Sequence, residues 1–245
     1  MVHWNRLIIL DVETVPVLPD FDQLSEPMQQ HWARKSSQKF TDGQAQEAIT
    51  WERAGIYAEF GKIVCISAGY MRKQAKTYVL HVSSFTGTEH DILTAFFAFL
   101  NKMNPQQLAG HNIREFDIPY ICRRSFIQQV PLHPLLAQLQ TLKPWDNPLV
   151  DTLQLWKFGE YKNYVSIDLL CTLLGLESPK QNMAGHDVAR VYWQERDLPR
   201  IAEYCEKDVL AVARVLMRLM GFGMEDINNV SLQRHERNKR YYSLD

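Results

Sequence analysis

The sequence predicts a mixed α/β fold, a central sheet of about five strands flanked by helices, and three observations predict it. A run of apolar, β-favouring residues, Leu7-Ile-Ile-Leu10, stands near the start and is too short for a helix. Two more strand-like runs follow at Gly61–Tyr70 and Ala75–Val82. From Ser166 onward, apolar residues recur at helical spacing with no strand pattern among them. Strands first and helices last give a sheet with helices packed on it.

The first strand ends in Asp11 and Glu13. Strand side chains alternate faces, so these two point the same way. Paired carboxylates at the end of a buried strand repel each other and resist desolvation. A divalent metal ion is the first candidate for the positive partner they need. A strand that simply emerges into solvent at Asp11 accounts for the same residues without one.

Residues 19–60 are polar, with Pro19, Pro27, Gly43 and Gly55, and read as an insertion or lid containing helical pieces. Met71–Gln74 reads as the hairpin turn between the second and third strands. Glu89–Met103 carries Ile92, Leu93, Phe96, Phe97 and Leu100 at helical spacing. Gln107–His111 is a short strand, a helix follows from about Asp117 to Gln129, and Leu149–Asp151 is a fifth, very short strand beyond a proline-bearing loop. Ser166 is placed to cap a helix over Ile167–Leu174, with Gly175 stopping it. Helices over His186–Glu195 and Leu198–Met220 complete a single domain over residues 1–245, with 221–245 as a C-terminal extension.

Composition narrows the function classes. The 245 residues carry a net charge of −1, which argues against a protein that coats nucleic acid through a broad basic face. It leaves open an enzyme that grips one chain end through bound cations, because those ions bring charge the residue count omits. The four cysteines are scattered without zinc-like spacing, which favours a reducing compartment. The N-terminal apolar stretch is too short for a signal peptide, and no run reaches the ~18 apolar residues a membrane helix needs. The expected location is the cytoplasm, and the oligomeric state is open.

Two further signals join the first. Gly110-His-Asn-Ile-Arg-Glu-Phe-Asp117 sits at a strand–helix junction, where α/β sheets place functional residues. Asp117 and Asn112 also fit plain capping and turn roles there. Tyr204-Cys-Glu-Lys-Asp208 lies in a late helix whose core stripe runs Leu198, Ile201, Cys205, Val209, Val212, Leu216. Tyr204 and Asp208 are four apart, share a face, and each precede a core residue by one.

In this order, Asp-x-Glu, Asn-x-x-x-Phe-Asp and Tyr-x-x-x-Asp resemble the three motifs of the DnaQ-like 3′–5′ exonucleases, in the DEDDy branch. GHNIREFDIPYI is most similar to the proofreading domain of family-B DNA polymerases. The segment from Lys180 to Val209, with Gly185, Asp187 and YCEKDV, resembles stand-alone bacterial exonucleases related to that domain. The sister branch has a histidine five residues before the last aspartate; here that position is Glu203.

The resemblance implies a ribonuclease H-like fold and removal of nucleotides from the 3′ end of nucleic acid, single-stranded DNA in the first instance. It implies Asp11, Glu13, Asp117 and Asp208 as ligands of two Mg²⁺ or Mn²⁺ ions, with Tyr204 orienting the attacking water. In family terms Asp11 bridges both ions, Glu13 and Asp208 complete the first, and Asp117 holds the second. Thr14, Asn112 and Phe116 are expected to contact the terminal nucleotide. Asp151 and Asp168 are expected as caps or surface charges, and Lys180 as a surface residue.

Three rival readings remain at this point. An RNA 3′–5′ exonuclease shares the chemistry and differs only in contacts to the 2′-hydroxyl. A catalytically silent nucleic-acid-binding relative predicts a missing carboxylate, and all four are present. A phosphatase of the haloacid dehalogenase kind begins Asp-x-Asp and leaves Tyr204 and Asp208 unexplained.

Overall fold

In the computed structural model, residues 2–39, 50–161, 164–179 and 183–235 are described. Strand β1 (Leu7–Pro16) is central because its apolar residues are needed on both faces. Ile8, Leu10 and Val12 pack with Ile92 and Phe96 of helix α2 (Glu89–Met103) on one side. Leu7 and Ile9 pack with Val209, Val212 and Leu216 of helix α8 (Leu198–Leu219) on the other. A strand covered on both faces reads as a continuous apolar run, as β1 does.

The sheet has six strands in the order β5-β4-β1-β2-β3-β6. Strands β2 (Gly61–Gln74) and β3 (Thr77–Phe85) form an antiparallel meander with β1. Strands β4 (Gln107–Gly110) and β5 (Leu149–Asp151) run parallel beside it. Ahead of α2 lies helix α1 (Glu26–Lys39), and after β4 come helices α3 (Asp117–Ile127) and α4 (Pro134–Ala137). Helices α5 (Thr152–Lys157), α6 (Ile167–Leu173) and α7 (Val188–Arg190) then precede α8, and α9 (Met224–Asn228) follows it.

Several expectations are corrected. The sheet gains a sixth strand, β6 (Ser231–Arg234), from the stretch read as a C-terminal extension. It lies parallel to β3, and its polar sequence shows no strand alternation because backbone pairing and an ion pair hold it. The hairpin reverses at Ala75-Lys76 and not at Met71–Gln74, with Ala75 at φ +53° supplying the left-handed turn. The segment expected as a helix over His186–Glu195 is a 3₁₀ turn, one α-turn and a π-helical turn ending at Arg196, φ +55°. The caps hold as read: Ser166 accepts from the Leu169 amide, and Gly175 stands at φ +69°.

The described parts of the 19–60 stretch have an apolar centre of their own. Trp32 and Trp51 are fully buried and meet edge to face at 5.4 Å, and Trp51 Nε1 donates to Leu18 O at 3.0 Å. Gly55 lies against β1 so closely that a Cβ there would come within 2.9 Å of the Val15 carbonyl carbon. Residues 40–49, and the part of the C-terminal stretch from 236 to 245, lie outside the described residues.

Candidate active site

β4 pairs only with Leu7–Ile9 of β1, so beyond Leu10 that edge of β1 is open. Asp11 and Glu13 lie there on the face that looks toward α8, opposite Ser67 and Cys65 of β2. A register shift between Glu13 and Thr14 bends the strand just past them. Bulges are frequent beside active sites because they re-aim a side chain.

α3 begins where the motif-two turn ends. Asn112 takes φ +64°, which lets the chain reverse after β4, and Asp151 fastens the turn by accepting from the Asn112 and Arg114 amides at 2.9 and 3.2 Å. Asp117 is then delivered as the first residue of α3, 3% exposed. It does not cap the helix; its carboxylate accepts from its own amide and from that of Val12. The Val12 amide also serves Asp11. From the opposite side, α8 brings Tyr204 and Asp208, both buried, with the Tyr204 hydroxyl bonded to the Asp208 carboxylate.

The carboxylates feel one another. Burial, then the charge of Asp117, pushes the Asp11 pKa up to about 7. Burial first, then Asp151 and Asp208 against the opposing pull of two backbone amides, brings Asp117 to about 7 as well. Glu13 is pushed well above the usual carboxylate range by burial, Asp11 and Asp208. Tyr204 is raised by burial and by the charges of Asp208, Glu13 and Asp11. Among the described residues no salt bridge joins Asp11, Glu13 or Asp117 to a lysine, arginine or histidine. Hard oxygen donors packed together with no positive side chain between them fit a divalent cation.

One residue absent from the sequence-level site list stands inside this group. Cys205, a core-stripe residue by spacing, turns its thiol toward Asp11, with Sγ 3.3 Å from the carbonyl oxygen and 3.4 Å from Oδ2. Ligand atoms of Asp11, Glu13 and Cys205 all lie within 4.8 Å of one another. Burial and a hydrogen bond with Cys65 push its pKa up, so it serves Asp11 as a thiol donor. The only signal in the sequence was its place next to Tyr204.

The remaining expected residues are distributed as follows. Asn112 Oδ1 is buried without a hydrogen-bond partner among the described residues. Phe116 is half-buried, 5.5 Å from the Tyr120 ring, directly before Asp117. The Thr14 hydroxyl is engaged with Tyr120, whose own hydroxyl donates to Gly55 O at 2.8 Å. Glu203 faces solvent and pairs with Lys207 at 3.3 Å. Asp151 is a cap, as expected, but a fully buried one. Lys180 lies outside the described residues. No described helix is long and apolar enough to cross a membrane.

Comparisons with known proteins bear on the fold and the family. The chain is 28% identical over 157 residues to the DNA polymerase delta catalytic subunit of Bos taurus, covering 54% of this chain and 14% of that protein. The subunit of Mesocricetus auratus is 26% identical over 170 residues, covering 60% and 15%. The chain thus spans a small fraction of the length of these relatives. The family B DNA polymerase from the hyperthermophilic archaeon Pyrobaculum calidifontis superposes with a TM-score of 0.56 at 15% identity, over 86% of this chain and 24% of that one. That likeness shows the fold, which is ribonuclease H-like. Residues 56–240 match the family described as a predicted 3′–5′ exonuclease related to the exonuclease domain of PolB, and the chain belongs to that family.

Proposed function

We propose that residues 1–245 form one metal-dependent 3′–5′ exonuclease domain that hydrolyses single-stranded DNA from its 3′ end. The observation that carries the reading is the acidic group of Asp11 and Glu13, whose ligand atoms lie within 4.8 Å of each other and whose pKa values are raised in part by the charges of Asp117 and Asp208 from two flanking helices. Membership of a 3′–5′ exonuclease family and the likeness to DNA polymerase subunits favour DNA over RNA.

The four carboxylates would hold two divalent ions, Mg²⁺ or Mn²⁺. When bound, these supply a lowered pKa for the attacking water and neutralise charge on the departing oxygen. The chain's own residues do the rest. Tyr204 keeps its proton at any working pH, since burial and three carboxylates raise it above an already high pKa. It therefore orients the water and does not deprotonate it. Cys205 holds Asp11 from beneath through two contacts, fixing the carboxylate between its neighbours. Asn112, with its buried free oxygen, and Phe116 would receive the terminal nucleotide beside Asp117. Thr14 would shape that seat through the strand-end backbone, its hydroxyl being engaged with Tyr120.

The test uses matched single-stranded DNA and RNA labelled at the 5′ end. A ladder shortening from the 3′ end, strongest on DNA, dependent on Mg²⁺ or Mn²⁺ and stopped by chelator, is expected. Undiminished cleavage in chelator, or mononucleotides released from the 5′ end, would contradict the proposal.

A further inference from the structure

Among the described residues between α5 and α6, three large rings stand in solvent. Phe158 is 91% exposed, Tyr161 95% and Tyr164 66%. An isolated exposed apolar residue is ordinary, but three in seven residues are more than chance exposure accounts for. The backbone is committed to presenting them. Phe158 takes φ +46° and Gly159 φ +90°, so α5 stops in two successive left-handed residues, a conformation that costs energy at a phenylalanine.

This segment is fastened to the motif-two turn. His111, directly before Asn112, bonds to Thr152 Oγ1 through Nδ1 at 2.9 Å and to Val165 O through Nε2 at 2.7 Å. Its ring meets that of Tyr164 edge to face at 6.3 Å. The Tyr164 hydroxyl lies within the field of the site, its pKa raised by burial and then by Asp117, Asp11 and Asp151. Tyr164 thus stands against the motif-two turn that delivers Asp117, and Phe158 and Tyr161 lie six and three residues before it in the sequence.

We infer that Phe158, Tyr161 and Tyr164 form a stacking platform for the unpaired bases of a nucleic-acid strand whose 3′ end lies in the carboxylate site. The inference rests on the proposed nuclease reading and deepens it by assigning the strand a path. A strand held by its last phosphodiester at the carboxylates must leave the site over the adjoining surface. The surface here offers π-faces, and every base can stack on them whatever its sequence. Bases in a duplex are already stacked and cannot use such rings, so the platform selects a single strand. Contact with aromatic faces also fits a chain with a net charge of −1, which has no surplus of cations for gripping phosphates.

Fluorescence anisotropy with labelled oligothymidylate, in Ca²⁺ to suppress turnover, tests this directly. Phe158→Ala and Tyr161→Ala should each weaken binding by about tenfold, the scale of one base–ring stack. Tyr161→Trp should restore it. An abasic oligomer with the same number of phosphates should bind the wild-type chain as weakly as the alanine variants bind oligothymidylate. Equal affinity of both variants and the wild type would overturn the platform. So would unchanged binding accompanied by a loss of self-association in sedimentation, which would make the patch a docking face for protein. Hydrolysis of p-nitrophenyl thymidine 5′-phosphate by the wild-type chain, which presents no further bases, reports separately on the nuclease reading. Its absence with Mg²⁺ or Mn²⁺ would overturn that reading, while the binding comparison still decides the platform.

Discussion

Glu89 and Asp117 are both buried carboxylates, 8% and 3% exposed, and the chain treats them in opposite ways. Glu89 is saturated with donors. Arg124 grips it through Nε at 2.8 Å and Nη2 at 2.5 Å, Gln128 adds a bond at 2.7 Å, and the Ile63 amide another at 2.7 Å. The remaining Arg124 nitrogen, Nη1, donates to Ala58 O, so one ion pair ties α2 and α3 to the start of β2 and to the segment before it. Asp117 has two backbone amides and, beyond them, the repelling charges of Asp151 and Asp208. A buried charge is tolerable when paired and bonded, and strongly disfavoured otherwise. The first arrangement belongs to the scaffold. The second is costly as it stands, and the proposed cations would offset that cost.

Perturbing the two regions should separate them, and the largest effect is expected at the site. Asp11→Asn or Asp208→Asn should lower hydrolysis by at least about 10³-fold, the upper range for losing one preorganised charge-stabilising group. The same variants should melt no lower than wild type in chelator, because a mutual repulsion is relieved. Near-wild-type turnover in either would remove that residue from the site.

The converse holds for the ion pair. Arg124→Ala should destabilise the fold by about 3–5 kcal/mol, since it leaves the Glu89 charge buried without its partner. Chemical denaturation would show it, and adding Glu89→Leu should recover part of the loss. A shift under about 1 kcal/mol would mean the pair is more solvated than its geometry indicates.

A smaller effect is expected at Tyr204. Tyr204→Phe keeps the ring and removes the hydroxyl, so single-turnover cleavage should slow by about 10²-fold, the low end for a positioned proton-handling group. Metal affinity followed by calorimetry should hold. An unchanged rate would make Tyr204 a packing residue, and lost metal binding would mean that it holds Asp208 in place.

A last signal is expected in pH. Asp11 and Asp117 titrate near 7 in the folded chain and near 3.8 when unfolded, so the metal-free fold retains protons that the unfolded chain releases. Stability in chelator should therefore fall as pH rises from about 4 towards 7. Asp117→Asn should flatten the slope, and a rise through the same window would contradict the assignment.

The two regions also differ in how far they could be read from the sequence. The pairing of Asp11 with Glu13 and of Tyr204 with Asp208 was legible because strand alternation and helical spacing fix which side chains share a face, whereas Asp117 was joined to them only by the resemblance. Those rules hold before any tertiary contact forms. The Glu89–Arg124 pair was not legible, because it joins residues on different helices and only packing brings them together. Cys205 escaped for another reason. A cysteine in an apolar stripe reads as core, and it is core, but its thiol sits against Asp11. Strand β6 was missed since Ser231–Arg234 has no apolar alternation; Arg234 is held by Glu206 on α8 at 2.5 Å, a contact from distant sequence. The tryptophan centre formed by Trp32 and Trp51 is likewise an assembly of separated residues, and the polarity of the intervening chain concealed it.

The central claim is that the carboxylate cluster awaits divalent cations, and the most direct measurement is a calorimetric titration of Mn²⁺ into the metal-free protein near neutral pH. Saturable binding of two ions per chain is expected, with proton release as Asp11 and Asp117 ionise, and affinity weakened by about tenfold or more in Asp11→Asn. No binding in the wild type, or equal binding in the variant, would contradict it.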